Sequence, residues 1–290
     1  MSAFPAGLSV LVVGDYYLDL VFAGLPRWPQ PGEEVFGTQT ASLPGGAFTH
    51  QRALHRLGVP AAWAAELGND PYSRLTLDTA RAEGLDTTAY LLRSSPVRNL
   101  TVAMSHAGER GFVSFREPLP PRDVTDVVLA RRPACVLLTE LTVGPRLAAV
   151  DIFAPNAAEA RRLTGHDDVH VALDRLRALT PTVVIKNGPH GAIAADPTGR
   201  VATTAEAVSV CDTIGAGDCF DAGFVAGHLY GLGLADSTAL ATLCGTLSVT
   251  GQGGAAAPTL AQLAERAPAL VPWATTSPPH REPRPAGPSR

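Results

Sequence analysis

Residues 9–22, SVLVVGDYYLDLVF, begin with an apolar, β-branched run that continues unbroken to Gly14. A strand that is apolar at every position has to be covered on both faces. The sequence that follows supplies the cover. After PGG, the stretch AFTHQRALHRLG reads as a helix ended by Gly58, with Leu54 and Leu57 three apart on one side. PAAWAAELG then predicts another strand, and DPYSRLTLDTARAEGL another helix, opened by Asp70 as cap and Pro71 at the first helical position. The alternation resumes with ACVLLTEL, VDIFAPNAAEARRLTG and TVVIKNGPHGAIAAD, and closes with two helices near 217–231 and 235–249. Repetition of this kind predicts an α/β fold, a mostly parallel sheet sandwiched between two helical layers.

Two segments break the rhythm. Residues 18–41 are rich in turns, and NLTVAMSHAGERGFVSF, within 97–117, alternates like a hairpin around Gly108. Together they predict a small β lid at the ligand-binding edge of the sheet. Residues 272–290 are proline-rich with scattered arginines, a composition that cannot bury enough apolar surface to fold, so a disordered tail is expected after a single domain spanning 1–271. A net charge of −4 without a basic cluster gives no footing for nucleic acid or an anionic membrane, and no apolar run reaches membrane-spanning length. Cys135, Cys211, Cys219 and Cys244 are widely spaced, with no pair at metal-ligand spacing. With no secretory pattern in the opening residues, reduced thiols in a cytoplasmic protein are the expectation.

The sharpest local signal is DTIGAGDCFDAGF, residues 212–224. Three small residues, Gly215, Ala216 and Gly217, stand directly before Asp218 and a helical apolar run. At a helix start the outward-pointing amides and the positive end of the dipole favour an anion, and glycines let a phosphate reach them. Asp218 would then stand where it can take a proton from an attacking hydroxyl. The bland alternative is a glycine turn followed by a capping acid.

The same fragment resembles the second signature of the ribokinase-like, PfkB-type carbohydrate kinases, D-T-x-G-A-G-D, complete here from Asp212 to Asp218. The resemblance implies a ribokinase-like three-layer αβα sandwich, Rossmann-like, with a β lid. It also implies ATP-dependent phosphoryl transfer to a sugar hydroxyl: Asp218 as catalytic base, and Gly215 to Gly217 as the anion hole. Asp212 and Ile214 match positions that contribute oxygens to a monovalent-cation site, such as one for K⁺. APNAAEARRLTG is similar to the family's PNxxEA helix start, whose Asn and Glu order waters on Mg²⁺ and the nucleotide phosphates. Asn156 and Glu159 carry that match, and an N-cap pair explains the same two residues without a ligand. IKNGPHGA resembles the nucleotide-side strand and turn through Gly188 and Gly191, with Lys186 either reaching phosphate or snorkelling at the surface. VTGQGGAAAPT, with Gly251 and Gly253, is similar to the loop beside the adenine pocket. GDYYLDL and LPGGAF supply Asp19, Gly45 and Gly46 at the positions that hold sugar hydroxyls.

The chain departs from the pattern twice. The Asn that normally follows the di-glycine is absent, and GGAFTHQRA offers Thr49, or His50 under a shifted alignment, for substrate binding. After ACVLLTEL the family runs through a helix, a strand and another helix before the segment matching VDIFAPN, whereas this chain crosses in TVGPRLAA. About 30 residues, one strand–helix unit near residue 144, are missing. Two rivals follow. One is a nucleoside kinase in which Tyr16, Tyr17 and Phe22 stack on a base. The other is a non-catalytic binding protein that keeps the cleft. A homodimer paired through the lid edge is a further expectation. The pairs His166 and His170, beside Asp167 and Asp168, read as a helix start rather than a metal site, and His50 and His55 are poorly spaced as ligands.

Overall fold

Alternate residues of the first strand enter different layers: Val10 and Val12 belong to one core, Leu11 to another. The computed structural model describes residues 9–107, 109–120, 122–139 and 145–275. In chain order its elements begin with β1 (Val10–Val13), β2 (Tyr16–Ala23), β3 (Gln39–Gly46), α1 (Ala47–Arg56), β4 (Ala61–Trp63), β5 (Glu66–Leu67), α2 (Pro71–Ala82) and β6 (Leu91–Leu92). There follow β7 (Leu100–His106), β8 (Glu109–Phe115), α3 (Thr125–Arg131), β9 (Cys135–Leu138), β10 (Ile152–Phe153), α4 (Ala157–Thr164) and α5 (Val169–Arg177). The last are β11 (Thr182–Lys186), β12 (Ala192–Asp196), β13 (Gly199–Thr203), α6 (Ala216–Leu229), α7 (Leu234–Ser248) and α8 (Leu260–Arg266).

The central sheet comes in two sections. β4, β1 and β9 pair in parallel; β10 and β11 pair in parallel and continue antiparallel into β12 and β13. Among the described residues no ladder joins β9 to β10, the junction from which the sequence predicts a missing strand; residues 140–144, where that prediction centres, lie outside the described residues. The two-residue alternation of a strand builds the three layers. In β11, Val183 and Ile185 pack on α4 and α5, while Val184 faces α6 and α7 with Ala192 and Ala194 of β12. Helix α6 bridges the two sections. Its Cys219, Ala222, Val225 and Ala226 join the core around β1, and its Phe220 and Phe224 join the core around β11 and β12. Helix packing therefore holds together what backbone hydrogen bonds do not.

The lid is a four-stranded sheet in the order β3-β2-β7-β8. β7 and β8 lie within the predicted 97–117, whereas β2 and β3 extend past the predicted 18–41, starting at Tyr16 and ending at Gly46, so the lid runs straight into the first turn of α1. Gly108, the expected hairpin tip, lies outside the described residues. PAAWAAELG, expected as one strand, divides into β4, which pairs with β1, and β5, which pairs with β6. The predicted tail needs a correction at its start: Pro272–Thr275 form a turn of 3₁₀ helix with Trp273 buried, its indole stacked on Tyr230 at 3.8 Å and its N–H donated to Leu57 O at 3.1 Å. The large apolar face of one tryptophan outweighs the proline-rich composition around it. Residues 276–290 lie outside the described residues. Asp70 caps α2 as expected, accepting from the N–H groups of Tyr72 and Ser73 with Pro71 in the first turn, and Asp168 caps α5 by accepting from His170 N–H.

Candidate active site

The loop 212–215 delivers the chain into α6 with a left-handed Gly215, φ 80°, as the residue before the helix. No side chain caps this end. Ala216 N–H turns back to Thr213 O and Cys219 N–H to Gly215 O, which leaves the N–H groups of Gly217 and Asp218 without a hydrogen bond among the described residues. A side chain at Gly215 would meet the backbone of Gly254 at 3.1 Å, so two glycine turns close on each other above the helix start. Asp212 clamps them: its Oδ1 accepts from Ile214 N–H and its Oδ2 from Gly253 N–H, both at 3.0 Å. Arg110 reaches across from lid strand β8 to within 3.8 Å of the same carboxylate. A cavity of about 510 Å³ opens between the lid and this loop, with Met104, Arg110, Asp212, Ile214 and Gln252 among its walls.

Asp218 occupies the first turn of α6, with 30% of its side chain exposed. Burial of that turn raises its pKa, and the charge of His50 opposes the rise. One turn on, Asp221 accepts both hydrogen bonds from Lys186 Nζ, at 2.8 and 2.9 Å. Burial works to raise Asp221 as well, but Lys186 and then His50 hold it below the usual carboxylate range. Lys186 thus stands at the cleft, its Nζ 3.7 Å from where a side chain on Gly217 would begin. Of its two readings from sequence, the one at the anion hole fits this position better than a solvated surface lysine.

Across the cleft, Asp19 of β2 lies against Gly45. A methyl group at Gly45 would stand 2.0 Å from Asp19 Oδ2, so only glycine leaves that carboxyl its place. Burial first, then the charges of Asp218 and Asp212, push the Asp19 pKa up to about 7. Gly46 is the residue before α1, as its helix-entry reading requires. Thr49 is buried beneath the paired turns, its Oγ1 2.5 Å from the position a side chain on Gly254 would take. His50 instead turns its ring to Asp218 and Asp221.

Asn156 and Glu159 form a reciprocal capping box at the start of α4, Asn156 Oδ1 accepting from Glu159 N–H at 2.8 Å and Glu159 Oε2 from Asn156 N–H at 2.9 Å. The cap leaves Glu159 Oε1 without a hydrogen bond among the described residues, and Asn156 forms a backbone bridge with Lys186. Gly188 opens on free space and Gly191 lies against Thr203, while Gly251 packs on Ala256 and Gly253 on Leu43. Asp221 and Arg110 were missed in the sequence. The spacing of Asp221, three residues after Asp218 on one helix, was the available signal for the first; for Arg110 there was none.

The profile of the pfkB family carbohydrate kinases matches residues 124–260. A fructokinase of Klebsiella pneumoniae is 26% identical, over 84% of this chain and 94% of the relative. The fold is similar to that of an Arabidopsis thaliana ribokinase solved with ribose and ATP (TM-score 0.73, 20% identity, 93% of this chain and 100% of that one). It is also similar to an E. coli protein assigned as a ribokinase II and solved with ATP and Mg²⁺ (TM-score 0.71, 17% identity, 89% and 99%). Over residues 124–260 the chain is similar to the PfkB-type carbohydrate kinases, and its fold is ribokinase-like. No helix among the described residues is long and apolar enough to cross a membrane.

Proposed function

We propose that this protein transfers the terminal phosphoryl group of ATP to a hydroxyl of a sugar or related polyol. The observation that carries the reading is the start of α6, where a cleft-facing carboxylate, unpaired peptide N–H groups and a lysine ammonium converge. Asp19, backed by Gly45 and Gly46, accepts hydrogen bonds from the acceptor's hydroxyls. Asp218 takes the proton from the attacking hydroxyl as general base. The free N–H groups of Gly217 and Asp218, on the turn formed by residues 215–217, and the nearby Lys186 ammonium stabilise charge on the phosphoryl oxygens, a task that fixed dipoles perform best in a water-poor cleft. The lid sheet closes over the acceptor and limits loss of phosphate to water. Mg²⁺ bound with the nucleotide neutralises charge across its phosphates, and Asn156 and Glu159 are the residues that would hold its waters. Potassium is given no step: the carboxyl of Asp212 already receives two N–H groups and faces Arg110, a poor vacancy for a further cation.

A sugar is preferred over a nucleoside because Tyr16, one of the three rings needed to hold a base, is fully buried, its hydroxyl bonded to Ser73 at 2.9 Å and to Val97 O. The intact Asp218 cluster favours an active kinase over a binding protein. An ATP-consumption screen over pentoses, hexoses, sugar phosphates and nucleosides, with Asp218→Asn beside the wild type, tests the reading. Turnover on a sugar that the variant loses supports it; wild-type rates in the variant remove Asp218 from its role. We read β8, with Phe112, Val113 and Phe115 exposed, as a homodimer contact, which a monomer in light scattering would reject. The four free thiols suit a cytoplasmic setting.

A further inference from the structure

His50, with Thr49 one of the two residues offered where the family pattern has an uncharged asparagine, is only 4% exposed. Its Nδ1 lies 3.4 Å from Gly46 O. A carbonyl only accepts, so that nitrogen carries a hydrogen. The other nitrogen, Nε2, lies 3.6 Å from Asp218 Oδ1 and 3.6 Å from Asp221 Oδ2. A neutral ring with its hydrogen on Nδ1 would aim a lone pair at two carboxylates. With both carboxylates ionised, an imidazolium instead places an N–H between them, and the geometry then favours the charged ring.

The surrounding charges agree. From α6 the ring is faced by Asp218 and Asp221, and from β11 by Lys186, while Asp19 of β2 acts on the cluster through Asp218. On its own helix, Arg52 is turned away onto Glu83. Burial opposes the imidazolium, but Asp218 and then Asp221 outweigh it, and the His50 pKa is raised. Lys186 is engaged by both oxygens of Asp221. His50 is then the cation that acts most strongly on the base, ahead of Lys186, and without it Asp218 keeps the burial that favours its protonated, inactive form.

We propose that His50, charged and held between Asp218 and Asp221, is a positioning residue that orients the base and keeps it ionised. The proposal rests on the phosphoryl-transfer reading. An asparagine there would offer a donor but no charge, so this chain's departure from the family pattern alters the electrostatics of its base.

The test is the pH profile of kcat at saturating ATP for wild type, His50→Gln and His50→Asn, with whichever of D-ribose and D-fructose the wild type phosphorylates faster. Losing an opposite charge at this range should raise the pKa of the base by about 1–3 units. The acidic limb then moves up by that amount, with about a 10- to 1000-fold loss on that limb, recovery to within several-fold at high pH, and an unchanged KM for ATP. An equal loss at every pH, or an unmoved limb, overturns the proposal. A second measurement needs no turnover: ¹⁵N-histidine NMR of the wild-type chain should find both His50 ring nitrogens protonated at pH 7, and a neutral ring there overturns it. If neither sugar is turned over, the phosphoryl-transfer reading is what fails, while the NMR titration still decides the charge.

Discussion

The two faces of the β4-β1-β9 sheet section are packed very differently. Toward α1, α6 and α7, Val10 and Val12 meet Trp63, Leu54 and Leu240 in the largest core of the molecule, every one of them at most 1% exposed. Toward α3, Leu11, Ala62, Ala64 and Ala89 meet the half-buried Val13, Val124, Val127 and Val128. Helix α3 itself buries no residue, and β9 leaves Val136 and Leu138 40% and 45% exposed. The residues proposed for base, anion hole and lysine all hang from α6, β11 and their turns, on the well-packed side. The thinly covered face is the other one. A protein of this fold can leave one face of a sheet section open while its candidate site stands on the opposite one, with α6 and α7 tying the sheet sections together.

The strongest way to break this comparison is at the first turn of α6. Asp218→Asn removes the base with little change in volume, and turnover should fall by about 10²–10⁴-fold, the usual contribution of a positioned general base. Nucleotide affinity, read by calorimetry, should hold, because the amides and Lys186 remain. Next comes the core beneath it. Leu240→Ala should cost about 2–5 kcal/mol of folding stability, read from urea denaturation, since it opens a cavity in a fully buried layer.

The acceptor side of the cleft should show a milder, pH-dependent effect. With its pKa near 7, Asp19 is protonated below neutrality and then lacks one of the acceptor oxygens that two sugar hydroxyls require. Its carboxylate form, and with it kcat/KM for the acceptor, should rise by about tenfold for each pH unit climbed below that pKa and level off above it. Asp19→Asn should lower kcat/KM and remove that limb. A limb that persists in the variant would assign the ionisation to another group.

How much of this could be read in advance depended on how far apart in sequence the partners lie. Asp70 with Pro71, the Gly215–Asp218 turn and the Asn156–Glu159 pair were legible because their hydrogen bonds are made within a few residues. The layering was legible too, since uninterrupted apolar strands demand cover on both faces. Asp221 was not, because its meaning comes from Lys186, 35 residues away on another element. Thr49 and His50 are adjacent, and the sequence could not say which would face the cleft; helix α1 sets that by sending Thr49 under the glycine turns and His50 toward Asp218. Trp273 escaped for a similar reason, since Tyr230 and the carbonyl of Leu57 that hold it belong to distant helices.

The smallest predicted effect bears most directly on the missing unit. Leu129 of α3 is 66% exposed, on a helix that buries none of its residues. Leu129→Ala should change stability by no more than about 0.5 kcal/mol, because a side chain still largely in water forfeits little burial when shortened. The same truncation at Leu240 removes the same atoms, so the pair isolates packing from chemistry. If the α3 face were covered in solution by something not seen here, such as a second copy of the chain, Leu129→Ala would approach the cost of the Leu240 variant and its effect would weaken on dilution. Denaturation of both variants at two protein concentrations separates these outcomes. A small, concentration-independent value for Leu129 would mean that the protein tolerates an open flank, its sheet sections held together by α6 and α7 rather than by a ladder between β9 and β10.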